Sequence, residues 1–443
     1  MLAGMTAAAL TIQLPSCGFS ASVESMLSPP RLTAEQEQIY QALQLAVGSQ
    51  ISLKYPKSGE RLSAFIVEDL DRDGLDEAVV FYETGRSSAD ENPLRICLLG
   101  QKEGTWREIF NDRTAGAEIE RVEIAQLGTN PRKNLIVSYS MVDGAEHAAE
   151  VYHYNDAKET LECSLSVQYS VMAVRDLNLD GTLELFLASA AKSPLPAMAL
   201  VYALDQNGNY AQSQLSLPET FSDISRLVYG ARSTGIGNET EPVLYMDGIT
   251  GATSVQTVIL RYRDNWLWLE YSDSGDRFPN TARSGNMPTM DIDGDGEPEI
   301  PVNTLFYGSS NPDAPLSMTN WYVCRNHLLM REHSSYYAVQ DGYVFLIPQR
   351  WERCVTAVSE DEEVVFYEFE QGVQTEAGDP VLLAPLLRLS AVTDSAAADA
   401  MQSDGYILLR QQNGRFYLGR LEDTSRPLSL SESELLTAMR FLN

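Results

Sequence analysis

Positive charge is scarce in this 443-residue chain: Lys and Arg total 32 against 62 Asp and Glu, a formal net charge of −30. A field of that sign repels phosphate backbones and anionic lipid headgroups and draws in cations, so nucleic acid is excluded as a partner. Histidine and cysteine are few as well. The four His (His147, His153, His327, His333) and five Cys (Cys17, Cys97, Cys163, Cys324, Cys354) form no CxxC pair and no HExxH, which argues against zinc. Cys97, Cys163, Cys324 and Cys354 lie in apolar, strand-like contexts and read as buried free thiols. A Walker loop, a GxGxxG turn and a GxSxG elbow are all missing, and with them the usual nucleotide and acyl-transfer chemistries. No segment approaches the ~20 apolar residues that span a bilayer as a helix.

The first stretch, MLAGMTAAALTIQLPSCGFS, has a short apolar run from Ala7 to Leu14 that leads into Leu-Pro-Ser-Cys. It resembles a bacterial lipoprotein signal with its lipobox, although no Lys or Arg precedes the run. That resemblance implies a signal peptide over 1–17, Cys17 as the lipidated first residue of the mature chain, and membrane attachment through the lipid. It also implies an extracytoplasmic location at the cell membrane or surface. Residues 18–31, Ser-rich and ending in Pro-Pro, suit a flexible tether.

What the chain does have is an acidic motif in three copies: DLDRDGLDE (69–77), DLNLDGTLE (176–184) and DIDGDGEPE (291–299). Their starts are 107 and 115 residues apart, two periods of about 50–60 residues, and degenerate copies without the acids fall midway at 121–140 and 225–248. Each copy continues into alternating apolar and polar pairs such as MALVYALDQNGNYAQSQL and TVILRYRDNWLWLEY, the pattern of antiparallel hairpins. Four short strands per repeat is the pattern of a propeller blade. The expected fold is mainly β: a β-propeller of about five blades or more over 32–335, with an N-terminal helix and a C-terminal α+β domain over 336–443. The helix is read from Thr33 as N-cap, Gln36 at N3, the stripe Ile39, Leu43, Ala46 and Val47, and Gly48 as stop. After 335 the repeat fades into further strands and a closing helix over 432–442, with Ser431 as N-cap and Leu430 and Leu435 as a staple.

Asp at positions 1, 3 and 5, Gly at 6 and an acid at 9 converge alternate side chains of a tight loop on one point, and hard oxygen donors suit Ca²⁺. The expected ligands are Asp69, Asp71, Asp73, the Leu75 carbonyl and Glu77; Asp176, Asn178, Asp180, the Thr182 carbonyl and Glu184; and Asp291, Asp293, Asp295, the Glu297 carbonyl and Glu299. An EF-hand would need Glu at position 12, where this chain has Val80, Leu187 and Val302. The loops instead resemble those of FG-GAP or VCBS-repeat propellers, the integrin α-subunit type, over about 60–335. That resemblance implies bound calcium at the D-x-[DN]-x-D-G-x-x-E positions. Trp266 and Trp268 share a face at period two and read as sheet core, with a sugar platform as the alternative. No catalytic residue can be assigned. The sequence therefore points to a cell-surface lipoprotein with a calcium-stabilised propeller that binds or scaffolds, its ligand a glycan, cell-wall component or protein. The alternative is an extracellular enzyme acting on glycan or cell-wall material.

Overall fold

The structure, a computed structural model, describes residues 32–84, 93–141, 147–192, 195–234, 239–273, 280–311, 313, 316–422 and 425–442. The lipobox with Cys17 and the tether 18–31 lie outside the described residues.

The chain is mainly β. Helix α1 (Ala34–Val47) begins at a capping box in which the Thr33 hydroxyl accepts from the Gln36 amide and the Gln36 side chain accepts from the Thr33 amide, and Gly48 ends it. Six antiparallel sheets follow in chain order. The first contains β1 (Ile51–Lys54), β2 (Phe65–Glu68), β3 (Glu77–Thr84), β4 (Leu94–Lys102) and β5 (Thr105–Arg113), with β1 and β2 sharing one edge of β3. The second is β6 (Glu118–Ala125), β7 (Asn134–Ser140), β8 (His147–Asn155) and β9 (Thr160–Tyr169). The third is β10 (Val171–Arg175), β11 (Glu184–Ser189), β12 (Met198–Leu204) and β13 (Tyr210–Ser216). The fourth is β14 (Asp223–Ser233), β15 (Thr240–Ile249), β16 (Ser254–Arg263) and β17 (Trp266–Tyr271), with the short β18 (Arg283–Ser284) on β16. The fifth has β19 (Ile300–Thr304), β20 (Met318–Arg325), β21 (Leu328–Ala338) and β22 (Tyr343–Leu346). The sixth has β23 (Val355–Glu360), β24 (Glu363–Gln374), β25 (Pro380–Val392), β26 (Ile407–Gln412) and β27 (Arg415–Leu421). In the second and third sheets, and along β3–β5 and β14–β17, neighbours in sequence are neighbours in space, and the hairpins turn where Asn, Asp and Gly permit positive φ, as at Asp264 (52°) and Asn265 (62°).

The sheets stack face to face, and period two decides what each face meets. In β3, Val79 and Phe81 pack with Ile119, Val122 and Val137 of the second sheet, while Ala78, Val80 and Tyr82 face the other way, onto Ile39 and Leu43 of α1. Similar clusters join the second sheet to the third (Ile136, Val151, Leu185, Leu187), the third to the fourth (Phe186, Val201, Leu244, Val258), the fourth to the fifth (Tyr245, Ile259, Ile300, Cys324) and the fifth to the sixth (Phe345, Trp351, Phe366, Leu387). At the far end, helix α2 (Ser395–Ser403) packs Ala398 against Leu418 of β27. Among the described residues no hydrophobic cluster joins the first sheet to the fifth or sixth. The stack has two ends, each covered by a helix. Because Leu43 is fully buried between α1 and the first sheet, Leu43→Ala should lower unfolding free energy by about 2–5 kcal/mol, measured by chemical denaturation.

Four details depart from the sequence reading. Strand β21 runs through residue 335, so the expected start of the last domain falls inside a strand of the fifth sheet. The closing helix α3 is shorter than read, Glu432–Ala438, although its Ser431/Glu434 capping box forms. Residues Met439–Phe441 are strand β28 instead, paired antiparallel with Tyr343–Phe345. Trp266 and Trp268 are not core: they are 63% and 56% exposed, because β17 is the outermost strand of its sheet and only Leu267, whose amide donates to Ser213 Oγ (2.8 Å), faces the neighbouring sheet there. All four described cysteines are free, but Cys163, on the outer strand β9, is exposed and Cys354 is only half-buried.

Candidate metal centres

Each acidic loop leads directly into a strand of its sheet. The first links β2 to β3, the second links β10 to β11, and the third links Met290, bridged to Glu299 in both directions (3.1 and 2.8 Å), to β19. Position 12 of each loop lies in a strand, in β3, β11 and β19.

The three loops share one hydrogen-bond frame. The position-1 carboxylate accepts from the glycine amide at position 6: Gly74 to Asp69 (3.3 Å), Gly181 to Asp176 (2.9 Å) and Gly296 to Asp291 (2.9 Å). Position 3 accepts from the amide of position 5, Asp73 to Asp71 (3.0 Å), Asp180 to Asn178 (3.1 Å) and Asp295 to Asp293 (3.0 Å). Position 5 accepts from the amide of position 7, Leu75 to Asp73 (2.7 Å), Thr182 to Asp180 (2.9 Å) and Glu297 to Asp295 (2.8 Å). The curl requires positive φ at the glycines (91°, 88° and 95°) and also at position 4, where Arg72 (68°) and Leu179 (59°) hold a conformation that suits glycine, the residue found there in the third loop.

Position 9 is the buried member of each set. Glu77, Glu184 and Glu299 accept from the amide at position 2, Leu70 (2.8 Å), Leu177 (2.8 Å) and Ile292 (2.9 Å). Burial pushes the Glu77 and Glu184 carboxyls up to about 7 and Glu299 up to about 8; the nearby aspartate charges add to the rise, and the accepted amide hydrogen bond opposes it.

Ligand oxygens of Asp69, Asp71 and Glu77 lie within 4.8 Å of one another, and so do those of Asp291, Asp293, Asp295 and Glu299. Glu299 is fully buried and its Oε1 has no hydrogen-bond partner among the described residues. An orphaned carboxylate oxygen facing three further carboxylates fits a divalent cation; the four carboxylates suit calcium, while His333 offers a ring nitrogen within the same 4.8 Å of Asp293 and Glu299. Not every expected ligand joins a convergent set. Asp73 is outside the convergent set of the first loop. In the second loop Asn178 donates its amide to Asp180 Oδ2 (2.9 Å), and no three acids converge there among the described residues. The Glu297 side chain is turned to Arg325 in an ion pair, leaving only its backbone to the loop.

Sequence reasoning missed the groups that brace the third loop. His333 of β21 sets Nε2 2.9 Å from Asp293 Oδ2, and Arg440 of β28 donates to the Ile292 carbonyl (3.0 Å). Upstream, a buried cluster holds the chain that leads into this loop. Asp247 Oδ1 accepts from Thr257 (2.6 Å), Thr289 (2.7 Å) and Arg283 (2.8 Å), and its Oδ2 accepts from the Thr289 amide (3.0 Å).

No protein-family model matches the chain, and no curated protein does. Among solved structures it is similar to the GH93 α-L-arabinofuranosidase of Fusarium graminearum in complex with arabinobiose, at 10% identity and TM-score 0.24 over 76% of this chain and 97% of that one. It is similar to the α-L-arabinanase of Penicillium chrysogenum complexed with arabinobiose, at 11% identity and TM-score 0.25 over 75% and 96%. A third is the β-propeller domain of the Trilobed protease from Pyrococcus furiosus, at 10% identity and TM-score 0.22 over 74% and 89%. Superposition this loose brings no activity to the chain.

Proposed function

We propose that this chain is a bacterial, lipid-anchored, extracytoplasmic binding or scaffolding module: an arc of five propeller-type blades stiffened by calcium and followed by an α+β unit, with no catalytic role of its own. The reading rests on one observation, the common hydrogen-bond frame of the three loops, each ending in a buried Glu. A frame that costs burial of a carboxylate and left-handed backbone at Arg72 and Leu179 is accounted for by a cation that needs those oxygens together. FG-GAP-type repeats supply the architectural analogy. Anchoring through Cys17 is checked by feeding a fatty-acid analogue: label on the native chain and none on Cys17→Ala is expected, and label retained in the variant would end the lipoprotein reading.

A second reading, an enzyme acting on extracellular glycan, has a specific cleft to consider. Strands β6, β10 and β14 border a cavity of about 460 Å³ with Glu120, Arg121, His147, Tyr169 and Arg226 among its walls. Glycoside hydrolysis needs two carboxyl groups, one of them held protonated. The described lining has one, Glu120, and it is held below its ordinary value: burial raises it most, but the hydrogen bond from Lys57 (3.0 Å), the Lys57 and His147 charges and smaller contributions together outweigh that. Arabino-oligosaccharides and β-1,3-galactan should therefore stay intact on incubation with the full chain. Sugar release abolished by Glu120→Gln would establish the enzyme instead.

A further inference from the structure

A side chain from a neighbouring strand reaches the third acidic loop. Ile292, at position 2 of that loop, packs with the buried Trp321 of β20 and Val344 of β22, which lays the loop against the fifth sheet. Trp321 pairs with His333 of β21, and the register then slips so that Tyr322 opposes Arg331, leaving Glu332 as the extra residue of a bulge. Directly paired residues show their side chains on one face, and a bulge re-aims the side chain beside it. His333 therefore shares the face of Trp321, and Asp293, the residue after Ile292, meets it with Nε2 and Oδ2 2.9 Å apart.

One ligand atom each from Asp293, Glu299 and His333 lies within 4.8 Å of the others, and Asp291 and Asp295 join the same Asp293 and Glu299 in the oxygen set. A spacing of 2.9 Å suits a hydrogen bond. It also suits two ligands of one ion, since bonds of ~2.1 Å at right angles end ~3.0 Å apart. Glu299 points to an ion independently. Its side chain is fully buried, Oε2 accepts the Ile292 amide (2.9 Å), and Oε1 has no partner among the described residues. A buried carboxylate oxygen without donor or cation is costly, and a bare divalent ion, smaller than water, reaches an oxygen that water does not touch. Asp293 and His333 are both part-exposed and leave the site open to solvent on their side. The convergent set of the first loop, Asp69, Asp71 and Glu77, holds oxygen only. Calcium takes oxygen ligands, whereas imidazole nitrogen ligates first-row transition ions, which also accept carboxylates.

We propose that the third loop is a mixed nitrogen–oxygen site that prefers a first-row transition divalent cation of the manganese kind to calcium. His333 Nε2, Asp293 and Glu299 are its ligands and Asp291 and Asp295 complete the shell, while the first loop keeps calcium. This rests on the metal reading above and gives the two loops different ions. The probe is substoichiometric Mn²⁺ added to the untagged full chain at physiological salt and read by pulsed electron paramagnetic resonance. Bound Mn²⁺ should show nitrogen coupling from one imidazole. Calcium should displace it only at about tenfold excess or more, and Zn²⁺, higher in the affinity order for such donors, should displace it near stoichiometry. His333→Gln should abolish the coupling and weaken Mn²⁺ by about tenfold or more. The chain has four histidines, so coupling retained in His147→Gln, His153→Gln and His327→Gln assigns the nitrogen to His333 even where His333→Gln does not fold. Mn²⁺ bound through oxygen alone, coupling that survives His333→Gln, or displacement by equimolar calcium would each overturn the inference. Calcium held by the first loop beside oxygen-only Mn²⁺ ends this inference and leaves the calcium reading standing; nitrogen-coupled Mn²⁺ in a chain that binds no calcium does the reverse.

Discussion

Millimolar calcium should raise the melting temperature of the chain by several degrees, reversibly with EGTA, and the rise should be larger at pH 8 than at pH 6. Only the folded loops assemble their oxygens, so calcium held there would stabilise the native state by about 2.7 kcal/mol per site at a hundred times the dissociation constant. For extracellular modules that constant is typically ~10⁻⁴–10⁻³ M. The pH dependence follows from the position-9 acids. Glu77 and Glu184 titrate near 7 and Glu299 near 8 in the folded chain, against an ordinary value of 4.5. Folding thus favours their protonated forms: without metal, that stabilisation is fully present below about pH 4.5 and is lost as the pH climbs through 7 to 8. Calcium needs the ionised forms and must expel the proton, so affinity at pH 6 falls by roughly an order of magnitude or more relative to pH 8. Magnesium, reluctant to give up water for an irregular cage, should do much less. Asp293→Ala should remove the third loop's share. Asp205→Ala, at the β12–β13 turn where the carboxylate only caps the Asn207 (2.8 Å) and Asn209 (2.9 Å) amides, should leave the calcium increment intact. Melting curves insensitive to calcium at both pH values, with no calcium by elemental analysis, would show the loops to be bare acidic turns.

Asp247→Ala should lower unfolding free energy by about 3–5 kcal/mol, because it removes one partner of a buried ion pair. The Asp247 and Arg283 side chains are 3% and 0% exposed, with Nη2 and Oδ1 2.8 Å apart. Arg283 spends its remaining donors on Met287 O (2.6 Å), Thr281 O (3.0 Å), Thr257 Oγ1 (2.8 Å) and Thr289 Oγ1 (2.9 Å). Removing the carboxylate leaves a buried guanidinium uncompensated and strips the acceptor from two threonine hydroxyls. Asp247→Leu combined with Arg283→Met removes both charges and should recover part of the loss, although the orphaned threonines keep it incomplete. The same cluster ties Thr289, two residues before Asp291, to β15, so Asp247→Ala should also weaken calcium at the third loop more than at the first. A loss below about 1 kcal/mol in chemical denaturation would mean that solvent reaches Arg283 and relieves it.

The repeat, the hairpins and the capped helix α1 were legible because they depend on local chemistry: period-two alternation, Asn and Gly in turns, and a Thr33/Gln36 box. The loops were legible for the same reason, since all their members lie within nine residues of one another. What stayed hidden is non-local. Nothing near His333 marks it as the neighbour of Asp293, forty residues away, and Asp247 and Arg283 are single charges separated by 36 residues. Trp266 and Trp268 were misread for a related reason. Alternation identifies which residues share a face, and an outermost strand has a face that no neighbouring sheet covers. The shortening of the closing helix was decided by β22, whose free edge takes Met439–Phe441 as a strand against the local helical pattern.

A stack with two helix-covered ends has a thermodynamic consequence that a closed ring would not share. Among the described residues each sheet shares a hydrophobic cluster only with the one before and the one after, so stability is close to a sum of intrinsic and nearest-neighbour terms, as in a one-dimensional chain of spins. Such a chain frays from its termini: α1 and α2 are the seals, and the interior sheets, with two partners each, are the last to open. Its length is also unconstrained by circumference. Duplicating or deleting one sheet would leave the remaining interfaces intact, whereas a ring would have to change curvature at every joint.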